Sequence, residues 1–275
     1  MQWGWTRGWY ECVAQANVLF LKGTVMRPAT CSVLFVLLAV PAAARESMPK
    51  DFVYLRDVAP TIAQEIRYAS PNNFTARPLP GYQAGECVLR RDAALALAKV
   101  AQDLAAQHLG LKVYDCYRPE RAVRTFWRWS QDRRSDGDKR FYPNVAKSEL
   151  FSLGYIASHS RHSTGTAVDL TLVPLAPSPA AARERSAHDG PCTAPADARA
   201  ADTSLDMGTG FDCLDVKSHT HSRAIGPEQR RLRELLDAAM RKRGFRNYFR
   251  EWWHYEYGSP RGYYDFPIRS PSTSP

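Results

Sequence analysis

The sequence predicts an α+β protein, a single domain in which a small, mainly antiparallel sheet packs against helices. Three observations lead there. Helical periodicity is clear over Pro227–Arg243 and recurs over Ala93–His108 and Glu120–Gln131. Short strand-like runs lie between these helices without regular alternation, which selects α+β. No internal repeat or linker divides the chain.

Met26-Arg27 opens a basic segment, Cys31 to Val40 is almost wholly apolar, and Pro41-Ala42-Ala43-Ala44 supplies small residues for cleavage. We read residues 1–44 as an export signal, with the Trp-rich residues 1–25 an upstream mis-start and Met26 the initiator. The apolar run falls short of the roughly 20 residues a membrane span needs, so no stable membrane anchor is expected after cleavage. Removing 44 of 275 residues leaves 231, the size of one domain.

Residues 45–91 are rich in Pro, Asn and Gly, with a short strand at Phe52–Leu55. Ile66-Arg67-Tyr68-Ala69 precedes a Ser-Pro-Asn-Asn turn, which puts Tyr68 at an edge or pocket wall. Asp92 caps the helix Ala93–His108, which buries Leu97, Val100, Ala101 and Leu104 and is closed by Gly110. Leu111–Asp115 forms a strand. Pro119 starts the helix Glu120–Gln131, whose Val123, Phe126 and Trp127 share a core-facing side. A polar loop covers Asp132–Val145, and Ser148–Ala157 is a short helix or turn. Thr166–Val173 is a strand, and 174–210 is a long insertion rich in Ala, Pro, Ser and Asp. Such a loop is functional or disordered; here it is a lid tied by a disulfide or a plain flexible insertion. The helix Pro227–Arg243 buries Leu232, Leu235, Leu236 and Ala239, Gly244 ends it, and Arg250–Tyr257 is the last strand.

The formal charge is +9, of which Arg7, Lys22, Arg27 and Glu11 contribute +2, leaving +7 for the cleaved chain. The basic residues cluster at Arg118–Arg134 and Arg230–Arg246, where solvated helix faces explain them better than a nucleic-acid surface. No nucleic-acid partner is expected. Cleavage leaves four cysteines, Cys87, Cys116, Cys192 and Cys213, without a CxxC pair, which argues against a Cys-ligated zinc and for disulfides. Three connectivities are open; Cys192 with Cys213 is preferred because both lie in one loop-rich segment, with Cys87 and Cys116 the other pair.

Two stretches carry chemistry: Ser160-Arg161-His162-Ser163-Thr164-Gly165-Thr166-Ala167-Val168-Asp169-Leu170 and Glu251-Trp252-Trp253-His254-Tyr255. Two imidazoles and two carboxylates are what a catalytic zinc site with its own base requires. His162 and Asp169 are an odd number of residues apart, so one continuous strand would point them to opposite faces. Ser163-Thr164-Gly165 must therefore turn the chain. Glu251 and His254 pose the same problem, which a bulge or a position at the strand's mouth would solve. Asp169 between Val168 and Leu170 is costly to bury unless paired or metal-bound. His108, His159, His188, His219 and His221 lack such a context, and His219-Thr220-His221 has no third partner.

Ser-x-His-x-x-x-Gly-x-Ala-x-Asp followed by Glu-Trp-Trp-His resembles the VanX-type zinc D-alanyl-D-alanine dipeptidases, a group akin to D,D-carboxypeptidases and hedgehog domains. Asp115-Cys116-Tyr117-Arg118-Pro119 resembles the family's Asp-Gly-Tyr-Arg-Pro block, and Met207-Gly208-Thr209-Gly210-Phe211-Asp212 its Met-Gly-x-x-Phe-Asp block. With Tyr68, Asn73-Phe74 and Tyr264-Asp265-Phe266-Pro267, the likeness covers about residues 50–268. It implies a cleft over the sheet holding one zinc ion on His162, Asp169 and His254. It implies further that Glu251 is the acid/base, Arg118 stabilises the tetrahedral intermediate and Asp212 receives the substrate ammonium. Tyr68, Asp115 and Ser160 match pocket positions. Arg118 can also be read as a structural partner of Glu120 or Asp115.

Cys116 replaces the family's usual Gly, and the 174–210 insertion is longer than expected; both bear on the pocket. The implied activity is zinc-dependent hydrolysis of D-alanyl-D-alanine by a periplasmic or secreted enzyme, in wall-peptide turnover or recycling. The alternatives are a D,D-carboxypeptidase or endopeptidase on longer wall peptides, and a zinc-containing binding module without catalysis.

Overall fold

The computed structural model describes residues 47–134, 137–175 and 189–271. The expected export signal and the first part of the insertion lie outside these. Strand β1 (Phe52–Tyr54) leads into a single turn, α1 (Leu55–Val58), and then β2 (Ala63–Gln64). After a 3₁₀ turn at Arg67–Ala69 come β3 (Val88–Arg90), α2 (Arg91–Ala105), β4 (Leu109–Asp115) and α3 (Glu120–Gln131). A second 3₁₀ turn, Arg161–Thr164, precedes β5 (Ala167–Pro174); α4 (Pro227–Lys242), β6 (Phe245–Asn247) and β7 (His254–Tyr257) finish the chain. The main sheet has the order β2-β4-β5-β7-β6, with β2–β4 its only parallel pairing; β1 and β3 form a separate antiparallel pair. The predicted α+β architecture is what is observed.

Alternation on β5 explains the layering. Val168, Leu170 and Leu172 project to one face, where they join the core with Leu97, Val100 and Leu104 of α2 and Leu232, Leu236 and Met240 of α4. Each such side chain contributes about 1.5–3 kcal/mol when fully removed from water. Ala167, Asp169 and Thr171 point to the other face, so the polar site sits across the sheet from α2 and α4.

Several elements depart from the sequence reading. Helix α2 starts at Arg91, so Asp92 lies in its first turn, not at the cap, and its carboxylate accepts from the Ala93 N–H. The helix ends at Ala105, and His108 at φ +57° makes the closing turn that the sequence predicts at Gly110, which instead lies within β4. On α3 the buried arc runs through Ala122, Val123, Phe126, Trp129 and Ser130. Trp127 falls just past its edge and is 45% exposed, while Trp129 packs against Phe74 and Tyr142. The final strand is four residues, because Arg250–Trp253 makes a turn that buries both tryptophans. On α4, Leu235 and Ala239 are only partly buried, and Arg233 and Met240 take their place. The basic clusters are not wholly solvated: Arg118 lies in the cleft described below. Buried Arg233 donates to the carbonyls of Met207, Lys217 and His219.

The cysteines pair as Cys87–Cys116 and Cys192–Cys213. Residues 189–210 are pinned to the domain through Asp202, which accepts from Arg67 (2.6 Å), from Tyr114 (2.9 Å) and from Lys112. Those cations hold the Asp202 carboxyl below its ordinary range against the opposing effect of burial. Leu205 N–H also donates to the Leu172 carbonyl at 2.9 Å. Among the described residues no helix is long and apolar enough to cross a membrane.

Candidate active site

Strand register assembles the site. Asp169 on β5 lies directly opposite His254 on β7 on one side and Asp115 on β4 on the other. The second pairing exists because β4 carries a bulge: Val113 faces Leu170, Asp115 faces Asp169, and Tyr114 is the extra residue. Cross-strand neighbours share a face, so the three side chains form a row across the centre of the sheet.

His162 reaches this row from the 3₁₀ turn before β5. Ser160 caps that turn by accepting from the His162 N–H at 3.3 Å, and Gly165 ends it at φ +73°. A Cβ on Gly165 would collide with the Phe52 ring. Gly165 is thus the turn required by the odd spacing of His162 and Asp169. Glu251 stands in the turn before β7 while His254 opens the strand, which resolves the second odd spacing by a position at the strand's mouth.

The His162, Asp169 and His254 ligand atoms lie within 4.8 Å of one another, all three residues buried. His162 Nε2 is 3.0 Å from His254 Nδ1, and Asp169 Oδ1 is 3.2 Å and 3.0 Å from these nitrogens. His162 Nδ1 is engaged with the Cys116 carbonyl at 2.6 Å, so its proton resides there and Nε2 presents a lone pair. His254 turns Nε2 toward Glu256 Oε1, 3.5 Å away. Two ring nitrogens and a carboxylate oxygen converging this closely need a positive charge between them, which a proton on His254 Nδ1 or a metal ion supplies. Ligands about 2.0–2.1 Å from a tetrahedral zinc sit roughly 3.3 Å apart, close to the spacing seen. The residues therefore fit a metal ion. Although burial opposes it, the hydrogen bonds to Asp169 and Glu256 raise His254 to about 10, so a bound metal ion would have to displace this proton.

Arg118 lies beside this group. Its Nε donates to Asp115 Oδ2 at 2.8 Å, its Nη2 is 3.6 Å from Asp169 Oδ2, and its guanidinium packs over the Tyr68 and Phe126 rings. Glu251 Oε2 is 3.9 Å from His254 Nδ1. Burial lifts the Glu251 carboxyl to about 7, with Asp169 adding to the rise and His254 opposing it. Asp212, at φ +61°, accepts from the Tyr68 hydroxyl at 2.9 Å. Burial, reinforced by Asp169, pushes its carboxyl well above the ordinary range.

A cleft of about 280 Å³ is lined by Tyr68, Arg118, Ser160, His162, Asp169, Asp212, Glu251 and His254 among others. Asp115, expected at the pocket, is instead fully buried behind the wall, held by Tyr82 and Arg118. Arg118 thus has the structural partner that the sequence allowed and still faces the cleft. His219 packs against Phe249, away from the site. Glu256 and Arg161 also line the cleft and were not foreseen; Arg161 Nε is 3.0 Å from Glu256 Oε2. Period-two alternation from His254 was the signal for Glu256, since both lie on β7 and share a face.

The profile of the M15 peptidase family, described as D-ala-D-ala dipeptidase, matches residues 48–176 and 198–269. A D-alanyl-D-alanine dipeptidase from Streptomyces coelicolor is 35% identical over 225 residues, covering 80% of this chain and 100% of the relative. Its counterpart from Enterococcus faecium is 33% identical over 79% of this chain and 98% of its own length. Another from Escherichia coli is 31% identical over 75% and 84%.

Proposed function

This chain belongs to the M15 family of D-ala-D-ala dipeptidases, and we propose that it hydrolyses D-alanyl-D-alanine with a zinc ion held by His162, Asp169 and His254. The observation that carries this reading is the convergence of that cation-demanding group with Glu251 and Arg118 on one small cleft. Zinc bound there would polarise the scissile carbonyl and make water nucleophilic near neutral pH. Glu251 accepts the proton of the attacking water and returns it to the leaving amine. Arg118, oriented by Asp115, offers guanidinium N–H groups to the oxyanion as charge develops. Asp212, positioned by Tyr68, receives the free ammonium of the dipeptide, so an acylated N-terminus would leave this buried carboxylate without a cationic partner from the substrate.

The export signal read in the sequence and the two disulfides support a periplasmic or secreted location. There the enzyme would serve wall-peptide turnover or dipeptide recycling. Glu251→Gln tests the mechanism: zinc content stays at one per chain while turnover of D-alanyl-D-alanine falls about 10²–10⁴-fold. Turnover within threefold of wild type would remove Glu251 from the chemistry. N-acetylated D-alanyl-D-alanine should be a poor substrate; equal turnover of it would favour a carboxypeptidase.

A further inference from the structure

Cys116 supplies the carbonyl on which His162 rests, and that carbonyl belongs to a clamped segment. Residues 116–118 follow β4 without regular structure, and three bonds join them to the His162 turn. His162 Nδ1–H donates to Cys116 O (2.6 Å), Arg118 N–H to His162 O (3.2 Å) and the Ser163 hydroxyl to Arg118 O (2.8 Å). On its other side the segment is tied to the approach to β3 by the Tyr117 N–H bond to Val88 O (2.9 Å) and by the Cys87–Cys116 disulfide. Cys87 is itself fixed, its N–H donating to Gln64 Oε1 and its carbonyl accepting from Leu55.

We propose that the Cys87–Cys116 disulfide is a positioning element of the metal site, locking the carbonyl that sets the tautomer and ring plane of His162. The inference rests on reading His162 as a ligand. A partner that orients a ligand imidazole is worth about 10–100-fold in metal affinity. Loss of the disulfide loosens that partner without deleting it, so the lower end is expected. Arg118, two residues on, rides on the same segment.

A disulfide also stabilises any fold by restricting the unfolded chain. The second bridge controls for this, because the two have sequence separations of 29 and 21 and so comparable loop-closure effects. Zinc affinity is measured by competition with a chromogenic chelator for Cys87→Ser/Cys116→Ser and for Cys192→Ser/Cys213→Ser. The first pair should bind zinc about tenfold more weakly and the second within twofold of wild type, with similar losses in melting temperature. Equal affinities in the two double variants overturn the proposal.

Should the first variant not fold, the wild-type protein gives the same answer by reciprocity. If the disulfide strengthens zinc binding, zinc must protect the disulfide by the same factor. The protein is equilibrated in graded glutathione buffers at fixed free zinc or with chelator, alkylated, and mapped by mass spectrometry. Zinc should shift the midpoint of Cys87–Cys116 reduction about tenfold and leave Cys192–Cys213 unmoved; no difference between the bridges refutes the coupling. A wild-type protein that binds no zinc, or binds it undiminished after His162→Ala, refutes the ligand reading itself. Normal zinc binding indifferent to the bridge refutes only the present inference.

Discussion

Gly165→Ala is the substitution whose cost can be worked most directly from the structure. The residue sits at φ +73°, where a non-glycine residue costs about 1–2 kcal/mol. Its Cβ would also run into the Phe52 ring, with Phe52 Cζ 2.6 Å away, and Phe52 is buried. Overpacking of that kind adds about 1–3 kcal/mol. The sum, about 2–5 kcal/mol, is a large part of a typical domain stability of about 5–15 kcal/mol. Where the backbone allows it, the same change would stabilise by about 0.4–1 kcal/mol, so even the sign is diagnostic. Urea denaturation of Gly165→Ala, Phe52→Leu and the double variant separates the two terms. The double variant should show a favourable coupling of about 1–3 kcal/mol as the clash is relieved, leaving the backbone term. A Gly165→Ala protein within 0.5 kcal/mol of wild type, or a coupling near zero, would refute the reasoning. The same variant should bind zinc more weakly, because Gly165 lies between His162 and Asp169.

Asp212→Asn should raise stability at pH 7 by about 1–3 kcal/mol, since it removes a buried charge facing Asp169 yet keeps an acceptor for Tyr68. The Asp212 carboxyl is pushed upward in the folded state, so its ionisation penalises folding at neutral pH. The variant's advantage in thermal melts should therefore shrink as pH falls toward the ordinary carboxylate range. Its KM for the dipeptide should rise at least tenfold; an unchanged KM would remove Asp212 from ammonium binding. Asp103 joins α2 to α4 through Arg243 at 2.7 Å, and these hydrogen bonds lower its carboxyl to about 2. Its contribution is present above the unfolded value of about 3.9 and is lost as pH falls through about 2, so the stability gap to Asp103→Asn should close across that window. A gap unchanged from pH 6 to pH 2 would contradict the ion pair.

Short-range chemistry was readable from the residues. Pro119 ahead of Glu120, Gly244 after α4 and the turn at Gly165 all follow from local backbone rules. The odd spacings announced that a turn separates His162 from the strand carrying Asp169, and that Glu251 could join His254 only through a bulge or a position at the strand's mouth. What stayed hidden depends on register and distant partners. The bulge at Tyr114 aligns Asp115 with Asp169, yet nothing in Leu-Lys-Val-Tyr-Asp marks it. The resemblance implied a pocket position for Asp115, and the structure places it as the buried support of Arg118. Trp127 read as core where Trp129 is buried instead, because α3 carries three aromatics, Phe126, Trp127 and Trp129, within four positions and its apolar face can be drawn through either tryptophan. Asp202 anchors the insertion through Arg67 and Lys112, residues more than eighty positions away that no local pattern connects to it.

The most direct test of the central claim is amine release from D-alanyl-D-alanine by the purified chain, before and after removal of metal. The account predicts one zinc per chain, hydrolysis that ceases with a chelator and returns with one equivalent of zinc, and neither zinc nor activity in His254→Ala. Hydrolysis that persists in the chelated protein, or a zinc-loaded protein that releases no amine, would contradict it.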